Sequence, residues 1–362
     1  MKFYTLTKIK RKKAVYNMIF GERSNGKTYA TLYEGLDKFL NTGGEQLVYL
    51  RRWREDTVGR RASKIFKGIN ESGAVEKLSG GKYTGVHYYS GAFYLCTYDE
   101  SGKPVYNLET DCLGYTLSLS EVEHDKSTSY PIVTTIIFDE FLTKSLYLPD
   151  EFILFMNTVS TIVRQRTNVT IYMLGNTVNK YCPYFEEMGL KHIQKQEQGC
   201  IDIYGYGDSK LSVAVEYCST IKQQKQNNFY FAFDNPKLEM ITGGAWELNI
   251  YPHAPIKIKP KDIIFSIFIE FNDNLYQGDI VERENMIFLY IHNKTTPIKD
   301  ISNEIIYSLD FKPQMNYNRN ILKPTSKIGK RIKWFFDSYN VFYQNNEVGD
   351  SINNYINICK RS

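Results

Sequence analysis

Short apolar runs alternate with amphipathic stretches through the first half of the chain. Each run has the length and the β-forming composition of a buried strand; the runs are 14–20, 46–50, 113–119, 134–138 and 169–174. Between some of them, apolar residues recur at helical spacing, as in 27–40 and in the helix that Pro149 opens. Strands that alternate with helices predict an α/β fold, with a mostly parallel sheet flanked by helices.

The pattern also predicts how the chain divides. We expect an N-terminal domain over 1–200, with a helix at 55–70 and an inserted β-meander at 80–110, where glycine pairs separate aromatic strands. The polar, Gln-rich end of 201–228 predicts a linker there. We expect a smaller α+β domain over 229–362, with a hairpin or meander at 263–271 and 286–292 and a basic amphipathic helix at 327–344.

Composition narrows the class of protein. Of the 362 residues, 42% are hydrophobic and 23% are charged, which excludes a disordered chain. The net charge of +5 is compatible with a polyanionic partner. The six cysteines are scattered without a CxxC pair, so we expect free thiols in a reducing compartment. No apolar run approaches the length of a membrane span, so we expect a cytoplasmic protein with no membrane partner.

A phosphate-binding loop lies between the first strand and the first long helix. It matches GxxxxGK[ST] and consists of Gly21, Glu22, Arg23, Ser24, Asn25, Gly26, Lys27 and Thr28. In such a loop the backbone N–H groups surround the phosphates, the lysine reaches the β- and γ-phosphates, and the hydroxyl ligates Mg²⁺. The motif and its context therefore predict ATP and Mg²⁺ as cofactors, with Lys27 and Thr28 in these roles.

A second motif, which is acidic, follows the apolar run 134–138. Asp139 and Glu140 follow that run directly, which places them at the carboxyl edge of the predicted sheet. We expect Asp139 to hold the metal ion and Glu140 to orient and deprotonate the attacking water. A glutamate in this place is typical of nucleoside triphosphatases that hydrolyse ATP to drive work.

Three further polar residues are candidates for the same site. Asn176 ends the run 169–174 and is interpreted as a sensor of the γ-phosphate, with an ordinary turn residue as the alternative. Arg164 and Arg166 end the preceding helix, where they either complement the helix dipole or reach the γ-phosphate of a neighbouring subunit. We expect Arg164 to be the better candidate for the second role.

Several blocks together resemble the genome-packaging ATPases of small φ29-type podophages. These blocks are Ile19-Phe20-Gly21-Glu22-Arg23, Gly44-Glu45-Gln46, Tyr49-Leu50-Arg51-Arg52, Lys126-Ser127, Tyr130-Pro131 and Ile137-Phe138-Asp139-Glu140-Phe141. The resemblance is strong over about 15–190 and loose beyond. It implies a RecA-like ATPase domain of the additional-strand, catalytic-glutamate (ASCE) class, followed by an RNase H-like domain.

The resemblance also implies a function and partners. It implies a homopentameric ring that docks transiently on the portal of an empty capsid in the host cytoplasm and drives double-stranded DNA inward. Arg54 and Lys126 are then candidate DNA contacts, and the Arg51-Arg52 block is associated with the same partner. Whether a structural RNA takes part stays open.

The C-terminal part lacks a residue that an active two-metal nuclease would need. The run 263–271 has no central aspartate, which a two-metal nuclease would need, so we expect a vestigial domain without cleavage activity.

Two other functions of the protein stay open. One alternative is a helicase loader or another ASCE ATPase that acts on single-stranded DNA or on proteins. The other is a nucleotide site with a purely structural role.

Overall fold

A computed structural model of the chain contains two compact units, Met1–Glu247 and Leu248–Ser362. The structure describes residues 3–121, 128–143, 147–177, 182–219 and 251–361, except 273, 284 and 311. Within these ranges, no α-helix combines the length and the apolar character needed to cross a bilayer.

The first unit consists of one large sheet with helices on it. Its strands are β1 (Tyr16–Gly21), β2 (Gln46–Arg51), β3 (Gly85–Tyr89), β4 (Ala92–Tyr98), β5 (Pro104–Val105), β6 (Cys112–Ser118), β7 (Val133–Asp139), β8 (Thr170–Asn176), β9 (Ile201–Gly205) and β10 (Ser212–Tyr217). Its α-helices are α1 (Thr7–Lys10), α2 (Lys27–Asn41), α3 (Gly59–Ala62), α4 (Lys67–Glu71), α5 (Ala74–Ser79), α6 (Glu151–Val163) and α7 (Pro183–Glu187).

The sheet of the first unit is parallel at its centre and antiparallel at its edges. Its order is β3-β4-β6-β2-β7-β8-β1-β10-β9, with β5 paired to β4, and neighbours from β6 to β10 run parallel. Every residue of β1 and β7 is buried, because helices cover both faces. Residues of β1 accordingly alternate between two hydrophobic clusters, Met18 and Phe20 in one and Ile19 in the other. The expected α/β class with a mostly parallel sheet is confirmed.

The order of three central strands positions the polar motifs. β8 lies between β1 and β7, which is the additional strand of the ASCE class. All three run parallel, with Gly21 paired to Asn176 and Asp139 paired to Leu174. Since parallel strands end at the same edge of a sheet, the loop after β1, the acids after β7 and the end of β8 meet there.

Helix α2 packs close to the sheet beneath this edge. Thr31, Leu32, Leu36 and Phe39 form its buried face at helical spacing. Gly35 lies on the same face, and a Cβ there would come within 2.4 Å of Leu47 Cδ2. A glycine is therefore required for the close approach of α2 to β2.

Two sequence expectations for the first unit are wrong. The helix expected at 55–70 is divided into a 3₁₀ turn (Arg54–Asp56) and the short helices α3 and α4, and Gly59 in the left-handed region begins α3. The linker expected at 201–228 is wrong over 201–217, because β9 and β10 belong to the large sheet. The rest of that segment from 220 onward lies outside the described residues.

The second unit is a smaller sheet with two helices. Its strands are β11 (Ile263–Phe271), β12 (Asn274–Arg283), β13 (Met286–Asn293), β14 (Ile306–Ser308), β15 (Tyr317–Asn318) and β16 (Val341–Tyr343), and its α-helices are α8 (Lys327–Asp337) and α9 (Asn346–Arg361). The order is β15-β14-β11-β12-β13-β16, with β14 parallel to β11. Its first five strands follow the order of an RNase H-like sheet. The expected helix 327–344 ends at Asp337, since Tyr339 adopts a left-handed conformation and β16 follows.

A buried carboxylate organises one face of the second sheet. Asp279 on β12 is 3% exposed and accepts hydrogen bonds from Ser266 Oγ (2.6 Å), Gln277 Nε2 (2.8 Å) and His292 Nε2 (3.0 Å). Burial by itself raises the pKa of Asp279, but these donors lower it overall. The hydrogen bond to Asp279 in turn raises the pKa of His292 above its usual value.

The raised pKa of His292 predicts a pH dependence of the second unit. Protonated His292 stabilises the fold at a pH below its unfolded pKa of about 6.5, and this contribution is lost as pH rises through the folded pKa. Asp279 stays ionised throughout, because its pKa is lowered. We therefore expect His292→Gln to remove protection from hydrogen exchange in β12 and β13 more strongly at about pH 5.5 than at about pH 8.5. An equal loss at both pH values would contradict the assignment.

Candidate nucleotide site

The loop from Gly21 to Thr28 follows β1 and leads into α2. Gly26 has φ +94° and is the N-cap of α2, a left-handed conformation that favours glycine. The first helical N–H groups and the dipole of α2 point into the loop, which makes it an anion-binding site. Gly21 allows a second close approach, because a Cβ there would lie 2.9 Å from Cys218 Cβ.

The ammonium group of Lys27 lies inside this loop. It donates hydrogen bonds to the backbone oxygen of Glu22 (2.7 Å) and to Asn25 Oδ1 (3.1 Å). Lys27 and Asn25 are both buried, whereas Arg23 and Ser24 are exposed. Burial lowers the pKa of Lys27, against the opposing charge of Asp139. A buried cation held by neutral oxygens is well suited to an anionic ligand such as a phosphate.

Thr28 and Asp139 provide a pair of oxygen ligands. Thr28 Oγ1 lies 3.2 Å from Asp139 Oδ2, and Tyr49 donates its hydroxyl to the same carboxylate oxygen at 2.7 Å. Hydroxyl and carboxylate oxygens suit Mg²⁺. Among the described residues there is no group of three His, Cys, Asp or Glu side chains that could hold a metal ion. Mg²⁺ commonly binds to one or two protein oxygens and completes its coordination with phosphate oxygens and water.

Glu140 forms an ion pair with Arg51. Its carboxylate Oε2 lies 2.6 Å from Arg51 Nη2, and its backbone has φ +59° in the turn after β7. The Glu140 side chain is 57% exposed, so solvent can reach it. Arg51 also approaches Asp139 (3.9 Å) and Asp56 (3.6 Å). The ion pair thus engages the Glu140 carboxylate within its own subunit.

Arg52 forms a buried bidentate ion pair with Glu151, the first residue of α6. Its Nε and Nη2 atoms donate to Glu151 at 2.7 and 2.8 Å, and both side chains are almost fully buried. Arg52 also donates to the backbone oxygens of Glu140 (3.1 Å) and Phe141 (2.8 Å). Tyr184 donates its hydroxyl to Glu151 at 2.8 Å. The guanidinium groups of Arg51 and Arg52 thus both bind carboxylates of their own subunit.

The three remaining polar candidates differ in their surroundings. Asn176 is half-buried and pairs in register with Gly21, directly beside the loop. Arg166 donates to the backbone oxygens of Val133, Tyr130 and Ile162, so it joins the end of α6 to the entry of β7. Arg164 is exposed and donates to one backbone oxygen, that of Thr128. Arg164 is the better placed of the two arginines to reach a neighbouring molecule.

Of the two candidate DNA contacts, the structure describes only Arg54. The side chain of Arg54 is 61% exposed and pairs with Glu121 at 3.0 Å. Lys126 lies outside the described residues. Arg54 therefore stays a candidate on exposure alone.

Sequence reasoning missed two residues of the site. Tyr49 donates a hydrogen bond to Asp139. The sequence showed only that Tyr49 lies in the Tyr49-Leu50-Arg51-Arg52 block. Glu151 lies in the first turn of a helix, and nothing in its sequence context indicated that its carboxylate binds Arg52. Both interactions join segments about 90 or more residues apart, which a local pattern does not reveal.

The strand order and the loop define a P-loop domain with the ASCE arrangement of strands, and known proteins are similar to it. Residues 91–204 match the sequence model of the family described as Podovirus DNA encapsidation protein (Gp16). The DNA packaging protein of Bacillus phage B103 is 28% identical over 179 residues, which cover 49% of this chain and 48% of that protein. Its counterpart in Bacillus phage phi29 is 27% identical over 186 residues, which cover 51% of this chain and 49% of that protein.

The matched part thus spans about half the length of these curated relatives. A chain of the bacteriophage Phi-29 viral genome packaging motor assembly has the same fold, with a TM-score of 0.59 at 20% identity, covering 99% of this chain and 98% of that chain. The Phi-28 gp11 DNA packaging motor gives 0.54 at 17% identity, covering 98% of each chain. The expected resemblance to the φ29-type packaging proteins is confirmed.

The buried pair predicts a large loss of stability when one partner is removed. Arg52→Ala leaves the Glu151 carboxylate buried without its cation, so we expect the free energy of unfolding to fall by about 3–5 kcal/mol. Chemical denaturation of the full chain measures this change. The matched control is Arg54→Ala, where an exposed ion pair is lost and the change should be about 0–1 kcal/mol. Equal losses in the two variants would contradict the importance of the buried pair.

Proposed function

We propose that this chain is an ATP-driven motor that moves double-stranded viral DNA into a preformed capsid. The observation that carries the proposal is the meeting of three motifs at one sheet edge. Thr28 of the loop contacts Asp139, Glu140 follows directly, and Asn176 pairs with Gly21. This arrangement suits a nucleoside triphosphatase whose hydrolysis is coupled to mechanical work. The similarity to DNA packaging proteins suggests that this work is the movement of DNA.

Each residue of the site has a separate proposed role. Lys27 and the N–H groups of the loop bind the β- and γ-phosphates, while Thr28 and Asp139 hold Mg²⁺, which offsets phosphate charge when bound. Glu140 accepts a proton from the attacking water. Asn176, at the end of the strand beside the loop, contacts the γ-phosphate.

We propose that the site is completed by a neighbouring subunit. An arginine from a neighbouring subunit would add its positive charge to that of Lys27 at the γ-phosphate. Arg164 is exposed at the end of α6, whereas the guanidinium of Arg166 is engaged by backbone oxygens. Arg164 is therefore proposed as the arginine that acts in trans, in a ring that we propose to be a homopentamer.

DNA would be bound through its phosphates, without regard to sequence. A motor that moves any sequence needs such contacts, and Arg54 and Lys126 are the proposed ones. We further propose that the second unit does not cleave DNA, because Asp279 is engaged by Ser266, Gln277 and His292. The portal of an empty capsid is the proposed docking partner.

Glu140→Gln tests the proposed function. The amide cannot accept a proton, so we expect ATP hydrolysis to fall by about 10²–10⁴-fold while ATP binding is retained. Duplex DNA together with portal-bearing empty capsids should stimulate the wild-type rate and leave the variant inactive. Glu109→Gln, on the exposed meander, is the control and should behave as wild type. Hydrolysis without any response to duplex DNA or capsids would reject the packaging motor, and stimulation by single-stranded DNA alone would favour a helicase loader.

A mixing experiment tests the role of Arg164 in trans. Arg164→Ala subunits keep their own Glu140, and Glu140→Gln subunits keep Arg164, so we expect each variant to be inactive alone and a mixture to regain hydrolysis. A mixture of Glu140→Gln with Lys27→Ala should stay inactive, because both changes disable a subunit's own site. An inactive mixture of the first pair would show that Arg164 acts within its own subunit or not at all.

A further inference from the structure

The N-terminal segment is attached to the phosphate-binding loop. The backbone N–H of Tyr4 donates to the backbone oxygen of Asn25 at 2.9 Å, and the Tyr4 hydroxyl donates to Glu216 at 2.7 Å. Leu6 and Ile9 follow and are buried in the hydrophobic cluster beneath α2. The segment is therefore held at the loop, at β10 and in the core, and the position of the residue before Tyr4 is fixed.

That residue, Phe3, lies directly against Gly26. A Cβ placed on Gly26 would have Phe3 atoms as its three nearest neighbours, Cβ at 3.3 Å, Cδ1 at 3.5 Å and Cγ at 3.7 Å. The Phe3 side chain nevertheless leaves 59% of its surface exposed. A large aromatic ring thus lies at the start of α2, within contact distance of the loop, and presents most of its surface to solvent.

We propose that Phe3 stacks on the nucleobase of the ATP that this loop binds. The proposal rests on the proposed function, because it assumes that the loop holds a nucleoside triphosphate. The phosphates occupy the N–H groups of the loop, so the ribose and the base must extend beyond its edge. An aromatic ring fixed at that edge provides a stacking surface, which every base can use because every base has a π-face.

Stacking on the base would give the exposed ring of Phe3 a role that binding of the phosphates does not give it. An exposed phenylalanine has no evident role in the stability of the fold, yet the chain fixes Phe3 through the two hydrogen bonds of Tyr4. A phenyl ring also has no hydrogen-bonding groups, so it distinguishes a nucleotide from bare phosphate without selecting among bases. Phe3 is therefore a binding residue for the nucleoside, separate from the residues that bind the phosphates.

Binding of ATP and of inorganic triphosphate separates the two parts of the site. The measurement is isothermal titration of the full chain without an N-terminal tag, in the presence of Mg²⁺. For Phe3→Ala we expect the Kd for ATP to rise on the order of tenfold and the Kd for triphosphate to stay unchanged. Phe3→Tyr keeps the ring and should bind ATP as wild type does. Phe3→Leu keeps apolar bulk without a ring and should behave as Phe3→Ala.

The other outcomes overturn the proposal. An unchanged Kd for ATP in Phe3→Ala, or wild-type affinity in Phe3→Leu, would show that no stacking occurs. Tighter binding of both ligands by Phe3→Ala would show instead that the ring obstructs the phosphate site. A wild-type chain that hydrolyses ATP while Phe3→Ala retains its affinity would refute this inference and leave the proposed function intact. A wild-type chain that binds neither ligand would refute both.

Discussion

The site depends on the buried ion pair between Arg52 and Glu151. Arg52 lies just after β2 and Glu151 begins α6, and the same guanidinium binds the backbone oxygens of Glu140 and Phe141 after β7. Three segments far apart in sequence are thus joined by one side chain. Buried ion pairs contribute little net stability, because desolvation offsets their attraction. Their bidentate geometry is specific, however, and here it fixes the turn that carries the proposed catalytic glutamate.

Strand alternation gives two neighbouring arginines opposite roles. Successive residues of a strand point to opposite faces, and β2 places Val48 and Leu50 in one hydrophobic cluster and Leu47 and Tyr49 in the other. Arg51 continues the face of Tyr49 and binds Glu140, whereas Arg52 points the other way and binds Glu151. The end of β2 therefore holds both the backbone and the side chain of Glu140.

The parts of the site that could be predicted are those encoded locally. The loop at Gly21–Thr28, the acids after β7 and Asn176 each follow an apolar strand, and parallel strands bring them together at one edge. The partners of Arg51 and Arg52 could not be predicted, because a sequence pattern does not say which distant carboxylate a side chain meets. β9 and β10 were missed for another reason, because the linker was predicted from the polar end of 201–228, whereas Val213, Ala214 and Val215 are apolar and buried in the large sheet.

Arg164 and Arg166, two positions apart, illustrate why exposure, and not residue type, separates candidates for a role between subunits. Arg166 donates to several backbone oxygens, so moving it outward would leave those oxygens and the end of α6 without their donors. Arg164 has a left-handed backbone that ends the helix and turns the side chain away from it. On the proposed function, Arg164 of a neighbouring subunit would add positive charge at the γ-phosphate, so assembly into a ring would serve the chemistry as well as DNA movement.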